Sequence, residues 1–180
     1  TSVHVLSVRN ECKELLFVVE READGREPLV RCINFGLDGM QSFSFTLEEE
    51  RSAVLVPAGQ VGTYLYEPNA SVLKAGAFKQ IAVRTGVKKL QVNSHLYTSD
   101  HLVSDFPGRR FRVDEVLSFT GKLCKGLSKT IPQANITVRN FPLSVEELRK
   151  RTKITDGGHV YLFATTLVDG EKVLVKCSKA

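Results

Sequence analysis

The segment from residue 136 to residue 179 constrains the fold most, because it combines a strand, a capped helix and a hairpin. Ser144 and Glu147 have the spacing of a capping box, in which each side chain accepts a hydrogen bond from the backbone amide of the other residue. A basic helix follows this box. Asp169-Gly170, flanked by two apolar runs, then predicts a type I′ hairpin. The segment indicates a compact scaffold that presents cations and no nucleophile.

The second part of the chain alternates strands and helices. A strand is predicted at residues 110–117, a helix with lysines along one side at residues 121–130, and a strand at residues 135–138. With the capped helix and the hairpin, the order becomes β-α-β-α-β-β. Two helices that follow alternate strands pack on one face of a sheet and leave its other face open. We therefore predict an α+β fold with mixed sheets, whose C-terminal part is a two-layer α/β sandwich.

The first part of the chain is predicted to be a strand-rich segment. The apolar run at residues 15–19 is typical of a buried strand, and residues 13–35 are predicted to form a long antiparallel pair. Turns are predicted at residues 24–25, 36–39 and 48–50, the last of them a solvated run of glutamates.

A helix is predicted at residues 70–84. Asn69 is a favourable N-cap, apolar residues recur at four-residue spacing, and Gly86 ends the pattern. Gly76 lies inside this helix, where a glycine costs about 1 kcal/mol relative to alanine. We expect close packing against a sheet to require it.

Charge divides the chain unevenly. Residues 1–63 have a net charge of −4, and residues 64–180 have a net charge of +9. We therefore predict two parts, 1–63 and 64–180, of which the second is suited to a polyanion. A merely soluble basic domain is an alternative that charge alone leaves open.

Several classes of site are poorly supported. The four cysteines are widely separated and form no Cys-x-x-Cys pair, which argues against zinc and against a disulfide framework. We expect no metal, and buried, reduced thiols in a cytoplasmic protein. No apolar run approaches the roughly 20 residues that span a bilayer, and no signal peptide is visible, so no membrane partner is predicted.

Catalytic signatures are also missing from the sequence. No Walker loop and no three-glycine dinucleotide fingerprint is present, so we predict no catalytic and no cofactor-binding residue in this chain. A weaker hypothesis places an enzyme around His95, Asp100 and Asp105.

Basic and aromatic residues mix where strands end and where helices face outward. Phosphates attract cations and unpaired bases stack on flat side chains, so this mixture predicts an RNA-binding surface. Lysines in the last turn of a helix also complement its dipole, which explains Lys150 and Lys153 without a ligand. Lys122 and Lys129 belong to the same basic set. The predicted nucleic-acid-binding residues are Lys88, Lys89, Arg109, Arg110, Arg112, Lys125, Arg139, Phe141, Lys150 and Arg151.

Several phrases, in order along nearly the whole chain, resemble a known family. They include residues 7–16, Tyr66-Glu67-Pro68-Asn69-Ala70, Asn93-Ser94-His95-Leu96-Tyr97, Asp105-Phe106-Pro107-Gly108-Arg109, Arg139-Asn140-Phe141-Pro142 and Asp156-Gly157-Gly158. The chain is similar to the C-terminal portion of predicted bacterial class I S-adenosylmethionine-dependent methyltransferases, which ends in a ferredoxin-like, THUMP-like domain.

The resemblance implies a longer enzyme that methylates tRNA or rRNA. Residues 64–180 would be a THUMP-like module that binds the RNA, and residues 1–63 would be the end of the catalytic domain or a link to it. The cofactor, S-adenosylmethionine, would lie in a catalytic domain before Thr1. The alternative is a structural module that packs on the catalytic domain or self-associates without binding nucleic acid.

Overall fold

The structure is a computed structural model that describes residues 1–21, 25–37 and 39–180. It has a mixed α+β fold with two mixed sheets, as predicted. Two compact units are present: Thr1–Val56 with Glu67–Val87 and Val103–Arg109, and Pro57–Tyr66 with Lys88–Leu102 and Arg110–Ala180. The functional division between residues 63 and 64 stays a prediction.

Most strands of the first unit form a four-stranded sheet in the order β2-β1-β3-β4. The strands are β1 (Ser2–Val8), β2 (Glu11–Val18), β3 (Leu29–Gly36) and β4 (Gly39–Phe45). Arg9 and Asn10 both have positive φ, as a type I′ turn between β1 and β2 requires. β1 pairs with β3 in parallel and lies between β2 and β3. The predicted antiparallel pairing within residues 13–35 is therefore wrong.

The strand β2 lies at the edge of this sheet and is exposed along its whole length. Phe17, which was expected to be buried, is 67% exposed. The prediction of a buried strand at residues 15–19 is wrong because an apolar run does not specify which strands will flank it. The turns predicted at residues 24–25 and 36–39 each include a residue outside those that the structure describes.

The glutamates at positions 48–50 lie in a helix, α1 (Leu47–Ser52), rather than in a solvated turn. Thr46 and Glu49 form a capping box. The carboxylate of Glu50 accepts hydrogen bonds from the backbone amides of Lys79 and Gln80, at 2.9 and 2.8 Å. This acidic run therefore begins one helix and caps another.

The helix predicted at residues 70–84 is divided into α2 (Ala70–Ala75) and α3 (Gln80–Thr85). Asn69 is the N-cap of α2 and Gly86 is the C-cap of α3, as predicted. Gly76 ends α2 with φ +78°, and a Cβ there would meet no atom within 4 Å. The left-handed conformation, rather than close packing, requires this glycine.

The second sheet has seven strands in the order β6-β7-β5-β8-β11-β10-β9. The predicted β-α-β-α-β-β order is confirmed from β8 onward. The elements are β5 (Tyr64–Pro68), β6 (Lys88–Lys89), β7 (Tyr97–Ser99), β8 (Gly108–Ser118), α4 (Gly121–Thr130), β9 (Asn135–Arg139), α5 (Val145–Thr152), β10 (Tyr161–Thr166) and β11 (Lys172–Lys179).

Both faces of this sheet are covered. On one face, Leu127 and Leu148 of the two helices pack against Leu162 and Leu174 of the strands. On the other face, Leu90 and other residues of the connecting segments bury strand residues such as Phe163. The predicted open face is therefore wrong, because segments that precede β8 in the sequence fold over it.

The final hairpin joins β10 and β11 as predicted, but its turn is of a different type. Only Gly170 of the Asp169-Gly170 pair has positive φ, at +87°. Its amide donates to the carbonyl of Leu167, and the amide of Leu167 donates to the carbonyl of Glu171. This pattern is typical of a type I turn followed by a left-handed glycine, not of a type I′ turn.

Candidate nucleic-acid interface

The helix α4 presents three lysines to solvent. Thr120 caps its N-terminus by accepting from the amide of Leu123. Cys124 and Leu127 are buried against the sheet, so the residues on the opposite side point outward. The exposed lysines are Lys122, Lys125 and Lys129.

The helix α5 presents three more cations. Its capping box between Ser144 and Glu147 is formed as predicted, and Leu148 and Thr152 are its buried residues. Hydrogen bonds from the backbone amide and hydroxyl of Ser144 lower the pKa of Glu147, so this carboxylate stays ionised and fixes the helix start. The exposed cations are Lys150 and Arg151 of the helix and Lys153, its C-cap.

We call these six residues the helix cations. Within the part of the chain that the structure describes, none of the helix cations is in an ion pair. Arg149 of the same helix differs, because it pairs with Asp156 and donates to the carbonyl of Ala134 at 3.2 Å. The helix cations are thus exposed charges that no ion pair with a described residue holds in place.

A groove of about 530 Å³ runs beside α4. It is lined by Ser118, Thr120, Lys122, Leu123, Gly126, Leu127 and Thr130. A Cβ at Gly126 would meet nothing within 4 Å, so the glycine leaves space there rather than permitting a close contact. Among the described residues, its lining offers hydroxyl groups and a lysine for polar contacts, but no aromatic or arginine side chain on which a base could stack. All of its lining residues lie within one segment, residues 118–130, where the sequence predicted the helix but not a groove beside it.

Two predicted arginines lie on the face of the sheet that carries the helices. Phe111 and Val113 of β8 pack on the opposite face, with Phe163. Arg110 and Arg112 alternate with them along the strand and therefore lie on the helix side. Arg112 is exposed and Arg110 is half-buried.

Lys89 and Arg139 form a second group, around His95. Burial first, and then the positive charges of Lys89 and Arg139, lower the pKa of His95 to about 4. Lys89 is only 3% exposed, and its ammonium donates to the carbonyl of Val92 at 2.7 Å. Because the side chain is buried, a phosphate cannot reach this ammonium without rearrangement of the residues around it. Lys88 beside it is exposed.

The remaining two predicted residues are held by other side chains. Nε of Arg109 donates to Glu67 at 2.9 Å, and the two form an ion pair in which the carboxylate is buried. The ring of Phe141 packs edge-on against Phe119, with centroids 4.9 Å apart. The binding role of all ten residues stays a prediction. The structure groups six of them on the helix side: Arg110, Arg112, Lys125, Lys150, Arg151 and, packed against the helix-side core, Phe141.

Other kinds of chemistry find little support among the described residues. They contain no group of three or more His, Cys, Asp or Glu side chains that could hold a metal ion. All four cysteines are free, and Cys12 is exposed, contrary to the prediction of buried thiols. Burial raises the pKa of Cys32 and of Cys177 to about 12, so neither is a ready nucleophile. No helix in these ranges is long and apolar enough to cross a bilayer.

Comparisons with known proteins agree with this architecture. Residues 64–107 match the family model of a ferredoxin-like domain, and residues 108–179 match that of a THUMP-like domain. No curated protein matches the chain. A crystal structure described as a putative methyltransferase from Porphyromonas gingivalis W83 is 44% identical, with a TM-score of 0.91 over 99% of this chain. The chain spans 45% of the length of that relative. Along this chain, the match to a ferredoxin-like domain is followed by the match to a THUMP-like domain.

Proposed function

We propose that this chain is the RNA-binding portion of a methyltransferase that modifies tRNA or rRNA. Its THUMP-like domain holds RNA phosphates on the helix cations while a separate catalytic domain transfers the methyl group. The single observation that carries the proposal is the presence of six exposed cations on α4, on α5 and at its C-cap that form no ion pair with any residue that the structure describes. A cytoplasmic location, where both classes of RNA occur, belongs to the same proposal.

The match to a THUMP-like domain and the description of the Porphyromonas relative support this function. The physical basis is electrostatic. RNA carries one negative charge per nucleotide, and each phosphate that a cation neutralises releases counterions. A cation that already had a carboxylate partner would lose that interaction on binding. None of the helix cations has an ion pair with a described residue to lose, although, beside the hydrogen bonds from Ser144, the nearby charges of Arg151 and Lys150 also lower the pKa of Glu147.

The methyl donor expected for such an enzyme is S-adenosylmethionine, and the glycine-containing turn of this chain does not fit it. Gly59 and Gly62 precede the strand β5, whereas loops that hold nucleotide cofactors open onto a helix. A Cβ at Gly62 would lie 2.8 Å from the Oδ1 atom of Asp100 and from the carbonyl of Ser99. Packing therefore explains Gly62, and we expect the donor to bind outside these residues.

The proposal is tested by fluorescence anisotropy with a labelled tRNA over a range of salt concentrations. The affinity should fall steeply as salt rises. In the double variant Lys125→Ala/Lys129→Ala, the slope of log K against log[salt] should decrease by about 0.7–0.9 for each phosphate that the protein no longer neutralises. Binding should weaken to a similar extent for unrelated RNA sequences, because phosphate contacts carry no sequence information.

The matched control is Arg31→Ala/Lys74→Ala, which also removes two exposed cations but takes them from the first unit. This control should leave both the affinity and the salt slope unchanged. Equal losses of affinity in the two double variants would show that only net charge matters. Binding that is insensitive to salt would show that the helix cations do not hold the RNA.

A further inference from the structure

Across β1, β3 and β4, the four-stranded sheet of the first unit has one buried face and one more exposed face, whereas the edge strand β2 is exposed on both. Val5, Cys32 and Phe43 are directly opposite one another on neighbouring strands and are buried. The helix α2 contacts β1, β2 and β3 and covers this buried side. Residues at alternate positions point the other way. We call six apolar residues among them the outer face: Leu6, Val8, Leu16, Ile33, Phe35 and Met40.

The apolar residues of the outer face are contiguous. Val8 is opposite Phe35, and Phe35 is opposite Met40, so one row crosses three strands. Leu6 and Ile33 form the next row on the same side. Met40 is 63% exposed and Phe35 is 46% exposed. Directly opposed side chains lie within contact distance, so these residues form one patch rather than scattered apolar positions.

The polar residues among them indicate what kind of partner covers the patch. His4 is opposite Leu16 and Arg31, and Glu14 is opposite Leu6, so both signs of charge interrupt the apolar surface. An obligate homodimer usually has a more uniformly apolar interface. Interfaces between domains of one polypeptide are more polar, because the linker already supplies a high effective concentration. The patch fits such a domain better than a second copy.

The Porphyromonas relative supplies a candidate of this kind. It matches 99% of this chain, yet this chain spans only 45% of it, so more than half of the relative is additional protein. We propose that the outer face is the surface on which the methyltransferase catalytic domain docks. This inference rests on the proposed function, since it requires that such a domain belongs to the same protein. It assigns to the first unit a role other than RNA binding.

Accessibility of position 40 tests the docking surface directly. Met40→Cys is introduced together with Cys12→Ser, which removes the exposed native thiol. The rate of maleimide labelling is compared between the 180-residue chain and the full-length product of its gene. If the catalytic domain is docked in about nine molecules of ten, only about one tenth of the molecules expose position 40, and the labelling rate falls about tenfold. Val92→Cys is the matched control, because Val92 is equally exposed, at 65%, but belongs to the second unit. Its rate should not change.

Each other outcome overturns the docking proposal. Equal labelling of position 40 in both proteins would leave the outer face uncovered, and so would a gene that encodes no further domain. Protection that appears in the 180-residue chain and grows with its concentration would identify a second copy as the occupant. Protection by added tRNA alone would identify RNA. The RNA site and the docking surface are tested by different variants, so the two proposals can fail separately. If Lys125→Ala/Lys129→Ala did not change RNA binding, the proposed RNA site would be wrong, but the labelling rate at position 40 would be unaffected.

Discussion

Replacing Gly108 with alanine should destabilise the first unit strongly. A Cβ at this position would lie 2.2 Å from the carbonyl oxygen of Glu67 and 2.8 Å from the Cα atom of Pro68. Both are backbone atoms, and ordinary van der Waals contact begins near 3.4 Å. The backbone of β5 or β8 therefore has to move, since no flexible side chain can give way. Overpacking of this kind costs about 1–3 kcal/mol, and a backbone clash belongs at the upper end.

Gly126→Ala is the matched control, and it should act in the opposite direction. Gly126 lies inside α4, where a Cβ would meet nothing within 4 Å. Alanine is more favourable than glycine in a helix interior by about 0.5–1 kcal/mol. The same substitution should thus destabilise the protein at one site and stabilise it at the other.

Thermal unfolding followed by far-ultraviolet circular dichroism measures both effects. In a chain of this size, 1 kcal/mol shifts the midpoint by about 2–4 °C. We expect Gly108→Ala to lower the midpoint of its unfolding transition by about 6–12 °C, and Gly126→Ala to raise its own by about 1–4 °C. A midpoint for Gly108→Ala within about 1 °C of the parent would refute the reasoning from close approach. Equal destabilisation by both substitutions would refute it as well, because only Gly108 is crowded.

Two further predictions concern titratable groups. In the native protein, iodoacetamide at pH 8 should label Cys12 alone, because burial raises the pKa of Cys32, Cys124 and Cys177. After unfolding in denaturant, all four thiols should react. Rapid labelling of a second thiol in the native protein would contradict this burial. The free energy of unfolding should fall as the pH drops from about 6.5 to about 4, because the unfolded chain binds a proton at His95 that the folded chain, with its lowered pKa, does not. His95→Asn, which tolerates the positive φ of this position, should reduce that slope in urea titrations, and an unchanged slope would mean that His95 does not contribute to it.

Local signals in the sequence were sufficient where the physical cause was itself local. The capping box at Ser144, the N-cap at Asn69 and the C-cap at Gly86 each depend on residues within four positions, and all three were predicted correctly. The capping box that begins at Thr46 has the same spacing. It was missed because three consecutive glutamates were interpreted as a solvated turn.

Contacts between residues far apart in the sequence could not be predicted from it. The strand β3 pairs with β1 rather than with β2, and this pairing determines which apolar run is buried. The alternation of apolar and polar residues does not predict which strands pair. The candidate site shows the same limit. Arg109 is a plausible phosphate ligand until Glu67, 42 positions earlier, is found beside it. Burial of Lys89 depends likewise on how the segment around it folds.

In the proposed function, charge alone would give this chain affinity for RNA but little ability to choose among RNAs. Phosphate contacts position a nucleic acid, whereas bases and shape specify it. The helix cations should therefore bind tRNA and rRNA fragments with similar strength. In the same proposal, selection of the methylated nucleotide falls to the catalytic domain that we place on the outer face, since the lining that the structure describes for the groove beside α4 has no aromatic ring on which a base could stack. A module that binds broadly is useful to an enzyme only if something else determines which nucleotide reaches the methyl donor, so a docked catalytic domain is a functional requirement of the proposed role.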